Sequence, residues 1–497
     1  MLVILSPTSM VSRLCYIALL AVAVYAQDLK INVGPVSGQV LQRNADGRAS
    51  FKLAGTAAQA ANKVVEARVV TAAGPLPGFD WMPLERVRNN QWAGEIQDVP
   101  QGGPYSLEVR LAASAASAVV KDIFVGDLWI LAGQSNMEGV GDLVDVEPSD
   151  EHIRSFDMTD RWGVAAEPLH RLVDAADRVH WRKDASGQPV KLAGQELEEF
   201  VTKRTKGAGL ALPFAKILFQ RTGVPVGLVP CAHGGTSMDQ WSPSLKDKQG
   251  DSLYGGTLRR FIAVGGRVKG ILWYQGESDA SPKAAPEYPA KMEKLIASFR
   301  QDFSDPDLPF YYVQIGRHVS YSNQNEWNAV QEAERKLESL IPKVGMVPAA
   351  DLSLDDGIHV STPDLKRLGR RLADLVTHDL FPEVTKYRSY RRGPRPVSAK
   401  REGDVIKVHF AEVNGKLVTD GRLNGFAVHG ADGNPLPLVF KQHIDPNDRS
   451  AVVLHIGRNT KLPEGANVRY GAGRDPYVNL KDELDMGTPV FGPLAIQ

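Results

Sequence analysis

Five apolar runs, at residues 123–132, 224–229, 268–274, 310–315 and 344–349, constrain the fold of this chain more than any other feature. Each is nearly continuous rather than alternating. A strand reads this way when both of its faces are buried, as in a parallel sheet covered by helices. Between the runs, residues 212–220, 286–303, 325–341 and 363–380 carry helical patterns, the second with Pro near its start. Strands alternating with helices imply right-handed crossovers and predict a doubly wound α/β domain over residues 122–384. Within it, residues 141–206 are rich in charged and aromatic side chains and read as an insertion. Insertions beside a parallel sheet often shape a binding site. This one, Trp162 included, is expected to help form the substrate site.

At 497 residues the chain is too long for one ordinary domain. Residues 27–121 show short alternating segments (49–53, 64–70, 92–96, 105–111) between breakers such as Gly74-Pro-Leu-Pro-Gly78 and Pro100-Gln-Gly-Gly-Pro104. This pattern predicts a small β-sandwich, with the Ala-rich stretch 54–62 ambiguous. From residue 385 to 497 β patterning returns, at 405–410, 425–429, 451–456 and 467–470, after a basic stretch at 386–395 that reads as a solvated linker. Lys plus Arg equals Asp plus Glu at 58 each, so no nucleic-acid or anionic-membrane partner is expected.

Arg13 precedes an apolar run, residues 14–26, that ends Val24-Tyr25-Ala26 before Gln27. Small residues at these positions suit signal peptidase, and the run falls short of the roughly 20 residues of a membrane span. Residues 1–26 therefore read as a signal peptide cleaved near Ala26, with Met10 an alternative start and an uncleaved anchor the rival reading. An exported protein without stable membrane insertion is expected, whether periplasmic or extracellular. Cys15 lies in this segment, so the mature chain would keep Cys231 alone. That leaves no internal disulfide and no cysteine metal cluster.

Polar clusters follow four of the apolar runs. Gly133-Gln-Ser-Asn-Met-Glu-Gly139 places Ser135 directly after the first, where ligands of open α/β sheets bind. The absence of G-x-S-x-G around Ser135 disfavours an α/β-hydrolase elbow. Alone, such a Ser is more often a turn or cap residue. Asp355-Asp-Gly-Ile-His359 follows the last run. A serine hydroxyl is a weak nucleophile and needs an adjacent base, usually His oriented by a carboxylate, and Asp356 lies three residues before His359. His233-Gly-Gly-Thr236 offers amides that can approach an oxyanion closely, or simply a tight turn, and His233 is a rival base. In Trp273-Tyr-Gln-Gly-Glu-Ser-Asp279, Gln275 can add a side-chain donor and Glu277 can tie loops together. Glu277 and Asp279 would otherwise suggest a glycosidase carboxylate pair. Four such clusters on one sheet edge are stronger evidence than any one of them.

Gly133-Gln-Ser-Asn-Met-Glu, Gly234-Gly-Thr, Trp273-Tyr-Gln-Gly-Glu-Ser and Asp356-Gly-Ile-His359 resemble the sequence blocks of SGNH hydrolases. The match is to the sialate O-acetylesterase-like group, which overlaps the sixth carbohydrate esterase family. Gly103-Pro-Tyr-Ser-Leu, Gly126-Asp-Leu-Trp, Val468-Arg-Tyr-Gly and residues 476–480 are similar to that group's flanking β regions. The resemblance implies a flavodoxin-like catalytic domain between β-sandwich-like domains, with Ser135 as nucleophile, His359 as base and Asp356 as orienting acid. Oxyanion donors would be the amides of Ser135 and Gly235 and the side chain of Gln275, with Gln134, Asn136 and Glu277 in support. Gln275 stands where the wider superfamily has Asn. The implied activity is hydrolysis of O-acetyl esters on a sugar substrate without metal or organic cofactor. Acetylxylan is the alternative to a sialate, and an inactive carbohydrate-binding scaffold or a glycosidase is the alternative of another class. Oligomeric state has no signal here.

Overall fold

A computed structural model describes residues 29–320 and 325–497. The expected signal segment and Cys15 lie outside the described residues. The apolar runs form the centre of a large mixed sheet. Its parallel strands are β1 (Ser117–Gly133), β2 (Ile153–Phe156), β3 (Val226–Pro230), β4 (Gly270–Tyr274), β5 (Phe310–Gln314) and β6 (Val344–Pro348), in the order β2-β3-β1-β4-β5-β6. Every residue of β3, β4, β5 and β6 is buried, as the continuous apolar runs predict. After β1 comes the single-turn α1 (Ser135–Glu138). The crossovers carry α2 (Ala211–Thr222), α3 (Leu253–Ala263), α4 (Tyr288–Asp302) and α5 (Asn325–Leu340), and α6 (Thr362–Leu380) follows β6. Helix α2 packs on α6 and α4 on α5. Trp129 of β1 meets Phe214 of α2 edge-on, and Tyr254 of α3 stacks on Phe299 of α4.

Strand β2 corrects the reading of residues 141–206 as a plain insertion. It pairs in parallel with β3 and widens the sheet. Arg154 and Ser155 interrupt its apolar pattern, which hid it. Both are buried, and Arg154 Nε donates to the Gly38 carbonyl at 3.1 Å while its guanidinium covers Phe124. Trp162 sits on the edge strand Trp162–Val164, packed against Phe156, and does not line the cavity at the sheet's C-terminal edge.

Strand β1 crosses residue 122 without a break. Its first half pairs antiparallel with Gly102–Leu111, and Phe124 to Gly126 pair in parallel with Val40–Gln42. From Asp127 onward it pairs with β3, and from Trp129 onward with β4 as well. The N-terminal strands thus share a strand with the parallel sheet. Arg43 clamps the joint, its Nε and Nη2 each 2.9 Å from the two oxygens of buried Asp127. The Ala-rich stretch divides: residues 54–57 end the strand Arg48–Ala57, which pairs with Leu29–Val33, and residues 58–62 form the turn that follows.

Beyond α6 the chain forms two four-stranded antiparallel sheets around a separate core that includes Val408, Val428, Leu454, Val468 and Tyr470. Gln314 at the end of β5 ties this region down. Its side-chain amide donates to the Val490 carbonyl and its oxygen accepts the Val490 amide, both at 2.9 Å. Buried Arg371 of α6 pairs with Asp351 at 2.6 Å and donates to the Asp485 carbonyl.

Candidate active site

The strands that flank β1 lead away from it on opposite sides, β3 toward β2 and β4 toward β5. The crossovers there diverge and leave a crevice at the C-terminal ends of the strands, as at any switch point of an open sheet. Gly133 lies at this point with φ +133°, and a Cβ there would stand 2.2 Å from the Tyr274 carbonyl oxygen. Only glycine lets β1 pass so close to β4 before the chain turns into α1. Ser135 is the first residue of α1, where an amide has no intrahelical acceptor.

Ser135 and His359 line one cavity of about 460 Å³ together with Gln134, Glu138, Gly234, Gly235 and Glu277. His359 Nδ1 lies 2.8 and 3.0 Å from the two carboxylate oxygens of Asp356. Partial burial pushes the Asp356 carboxyl up. The hydrogen bonds from His359 Nδ1 and from the Ile358 and His359 amides outweigh it and hold the group well below the usual carboxylate range. Lys206 Nζ stands 3.4 Å from the same carboxylate.

His359 follows β6, three strands or about 14 Å from β1 at ordinary strand spacing. Asn136 is what brings it back. Its Oδ1 accepts the Val360 amide at 3.0 Å, and its Nδ2 donates to the Ile358 carbonyl at 3.4 Å and to Glu277 Oε1 at 2.8 Å. One side chain after β1 thereby holds the loops after β4 and β6. Burial raises the Glu277 carboxyl, against the Asn136 hydrogen bond, and its Oε2 has no partner among the described residues. Gln134 supports the same corner, its amide donating to the Tyr274 carbonyl at 2.8 Å and its Oε1 accepting the Ser278 amide at 3.3 Å.

The Gly234–Gly235 loop meets the cavity from β3. Gly235 has φ +68°, and its amide makes no hydrogen bond among the described residues. The Gly234 amide donates to Glu138 Oε2 at 2.7 Å, and a Cβ on Gly234 would lie 3.4 Å from Ser135 Cβ. Glu138 therefore holds this loop against α1. Burial pushes the Glu138 carboxyl up to about 7 despite the Gly234 amide and Arg204. Glu167 behaves likewise beside Arg204, raised to about 7 while accepting the Gly209 and Leu169 amides.

Gln275 is not where the sequence reading put it. It is fully buried and does not line the cavity. Its Nε2 donates to the Thr236 carbonyl at 3.1 Å and to Asp279 Oδ2 at 2.6 Å, which uses both of its N–H groups. Gln275 thus braces the loops after β3 and β4 from beneath instead of donating to a ligand. Asp279 is buried with it and also accepts the Met238 amide, so Glu277 and Asp279 do not face each other across a cleft. His233 pairs with His180, Nδ1 to Nδ1 at 3.1 Å, and among the described residues no carboxylate forms an ion pair with it. Burial lowers both imidazoles.

His318, Trp327 and Arg474 complete the cavity and were not read from the sequence. Arg474 arrives from the C-terminal region, its guanidinium 5.2 Å from the Trp327 ring and against the His318 ring, and its carbonyl accepts the His318 amide at 2.7 Å. No short motif announces residues brought in from so far along the chain. Among the described residues no cluster of His, Cys, Asp and Glu has metal-holding geometry, and no helix is long and apolar enough to cross a membrane.

Comparison with known proteins places this architecture. Residues 125–378, just over half of the chain, match a family model described as carbohydrate esterase, sialic acid-specific acetylesterase. A probable carbohydrate esterase of Arabidopsis thaliana is 30% identical over 271 residues, covering 50% of this chain and 88% of the plant protein. Human sialate O-acetylesterase is 22% identical over 316 residues, covering 54% of this chain and only 56% of its own length. A carbohydrate acetylesterase from Xanthomonas citri shares the fold, with a TM-score of 0.64 at 22% identity over 93% of this chain and 99% of that one. The resemblance read from the four sequence blocks is borne out: the chain belongs to the carbohydrate esterase family of sialic acid-specific acetylesterases, which are carboxylic ester hydrolases.

Proposed function

We propose that the protein releases acetate from O-acetylated sugars through an acyl-enzyme on Ser135. In this reading Nε2 of His359 takes the Ser135 proton as Oγ attacks the acetyl carbonyl, and returns it to the departing sugar oxygen. Water then enters by the same base and frees acetate. Asp356 keeps the His359 proton on Nδ1 and stabilises the imidazolium. The amides of Ser135 and Gly235 would receive the oxyanion, each worth about 3 kcal/mol. Gln275 has no part in that role, because its donors are engaged elsewhere. The observation that carries the reading is that His359, paired with Asp356, lines the same cavity as Ser135.

The relatives' names favour a sialate, with acetylxylan as the second substrate to test. An inactive binding scaffold would have no use for a base held this way. The two antiparallel sheets and separate core after α6 support reading the C-terminal flank as a β-sandwich-like domain, and the sequence before Gln27 supports export.

Acetate release from O-acetylated sialic acid and from acetylxylan tests the proposal. Ser135→Ala should lose turnover on whichever substrate the wild type accepts, with an unchanged melting temperature. Normal turnover by that variant would overturn the mechanism.

A further inference from the structure

A second cavity, of about 600 Å³, adjoins the first and shares Gly234 and Gly235 with it. Both volumes lie in the range of ligand sites. The shared glycines form a low ridge between the two. A Cβ on Gly235 would meet nothing within 4 Å, so the ridge is open above that residue. The chain's net charge is zero, yet this cavity is strongly cationic. Arg178, Arg182, Lys183 and Lys248 line it against a single carboxylate, Asp251. Arg178 lies 4.0 Å from Asp251. Among the described residues Arg182, Lys183 and Lys248 have no carboxylate within ion-pair distance, and Arg182 rests 4.4 Å above the Phe200 ring. His233, which also lines the cavity, can offer no negative charge to offset these cations. Trp181, fixed by its Nε1–H to the Ala175 carbonyl at 2.8 Å, supplies an aromatic wall.

Like charges gathered in a concave site raise the local concentration of the opposite charge. An acetyl group held at Ser135 leaves the rest of a sugar chain to cross the glycine ridge. We infer that the second cavity is a subsite for a negatively charged sugar next to the acetylated one, so that the preferred substrate is an acetylated acidic oligosaccharide. The charge is a carboxylate or a sulfate ester on the neighbouring unit, beyond the ester-bearing sugar itself. This inference rests on the sugar-esterase reading above.

The test compares kcat/KM on an acetylated xylo-oligosaccharide bearing a uronic acid, on its carboxyl-reduced counterpart and on an acetylated sulfated oligosaccharide. With each exposed cation contributing a factor of a few, the acidic substrate should be favoured about tenfold over the reduced one at low salt. The preference should shrink as ionic strength approaches about 1 M. In the combined variant Arg182→Gln, Lys183→Gln, Lys248→Gln the ratio of acidic to reduced substrate should fall toward one. Preference for the sulfated substrate as well would mean that the site takes any anion. Preference for the uronic acid alone would mean that it takes a carboxylate. A ratio of one in the wild type, or a ratio that the variant leaves intact, overturns the subsite while acetate release upholds the esterase. No acetate from any of the three, with O-acetylated sialic acid still cleaved, overturns this inference alone; no acetate from any of the three or from O-acetylated sialic acid, with 4-nitrophenyl acetate still cleaved, overturns the sugar-esterase reading and this inference with it.

Discussion

Replacing Asp356 by Asn tests the proposed base at the level of single protons. The two carboxylate oxygens do different work. Oδ1 accepts the Ile358 and His359 amides, both at 3.0 Å, while Oδ2 lies nearest His359 Nδ1, at 2.8 Å. An Asn side chain would keep its carbonyl on the two amides and so would point its NH2 at Nδ1. Two donors cannot face each other at that distance, so the imidazole would move its proton to Nε2. It could then no longer accept the Ser135 proton. Returning to the reactive tautomer breaks the neutral hydrogen bond from the Asn NH2 to Nδ1, about 0.5–1.5 kcal/mol, and opposes two donors, while the charge-assisted bond that steadies the imidazolium, about 1.5–3 kcal/mol, is lost as well. A buried triad loses about 10⁴ in kcat on this change. Here the Asp356 and His359 side chains are 37% and 20% exposed, so water can relieve part of the conflict. The expected loss is about 10²–10³ in kcat, or 3–4 kcal/mol, with KM little changed. Steady-state hydrolysis of 4-nitrophenyl acetate by the purified variant measures it. A kcat within about fivefold of wild type, in a protein of unaltered melting temperature, would refute the assignment of Asp356 as the group that sets the tautomer.

Asn136→Ala should lower both activity and stability, because it strands the Val360 amide and the Glu277 carboxyl; about 2–4 kcal/mol by chemical denaturation is expected, and a loss under 1 kcal/mol would mean that the loops hold without it. Glu138→Gln addresses pH. The folded protein raises this acid from 4.5 to about 7, so it favours the protonated form, and its contribution is present below pH 4.5 and lost as pH rises through 7. The variant should therefore gain on the wild type between pH 4.5 and 7, by at most about 3 kcal/mol; parallel stability–pH curves for the two proteins would show that Glu138 titrates normally. Gly133→Ala should prevent folding or cost more than about 3 kcal/mol, since the methyl meets the Tyr274 carbonyl at a φ that disfavours any side chain; a soluble variant with wild-type melting would contradict the packing described here.

The parts of this architecture that were legible in the sequence are those with short-range causes. Strands buried on both faces must be apolar throughout, and β3 to β6 are. The helices between them announced themselves by period, and the dyad of His359 and Asp356 by a spacing of three residues. Where a local cause was overridden, the reading failed. β2 carries Arg154 and Ser155 within the sheet, so its pattern was that of a loop. Gln275 had the right type and place in the motif for an oxyanion donor, but Thr236 and Asp279, from two other positions of the chain, take its N–H groups. Trp162, aromatic and within residues 141–206, went to the sheet edge, and Trp181 of the same segment lines the second, neighbouring cavity.

The class of fold, the four polar strand ends and the chemical types gathered there follow from periodicity and from neighbours within a few residues, so they can be read along the chain. Which of those side chains share a cavity is set by the packing of distant segments. The order of strands puts the ends of β3 and β4 beside that of β1, Asn136 draws the loop of β6 across two intervening strands, and the C-terminal region delivers Arg474 to the rim. The physical reason is that a hydrogen bond or a cavity wall is satisfied by whatever group is near in space. In a sheet of this kind, such groups come from strands separated by tens to hundreds of residues.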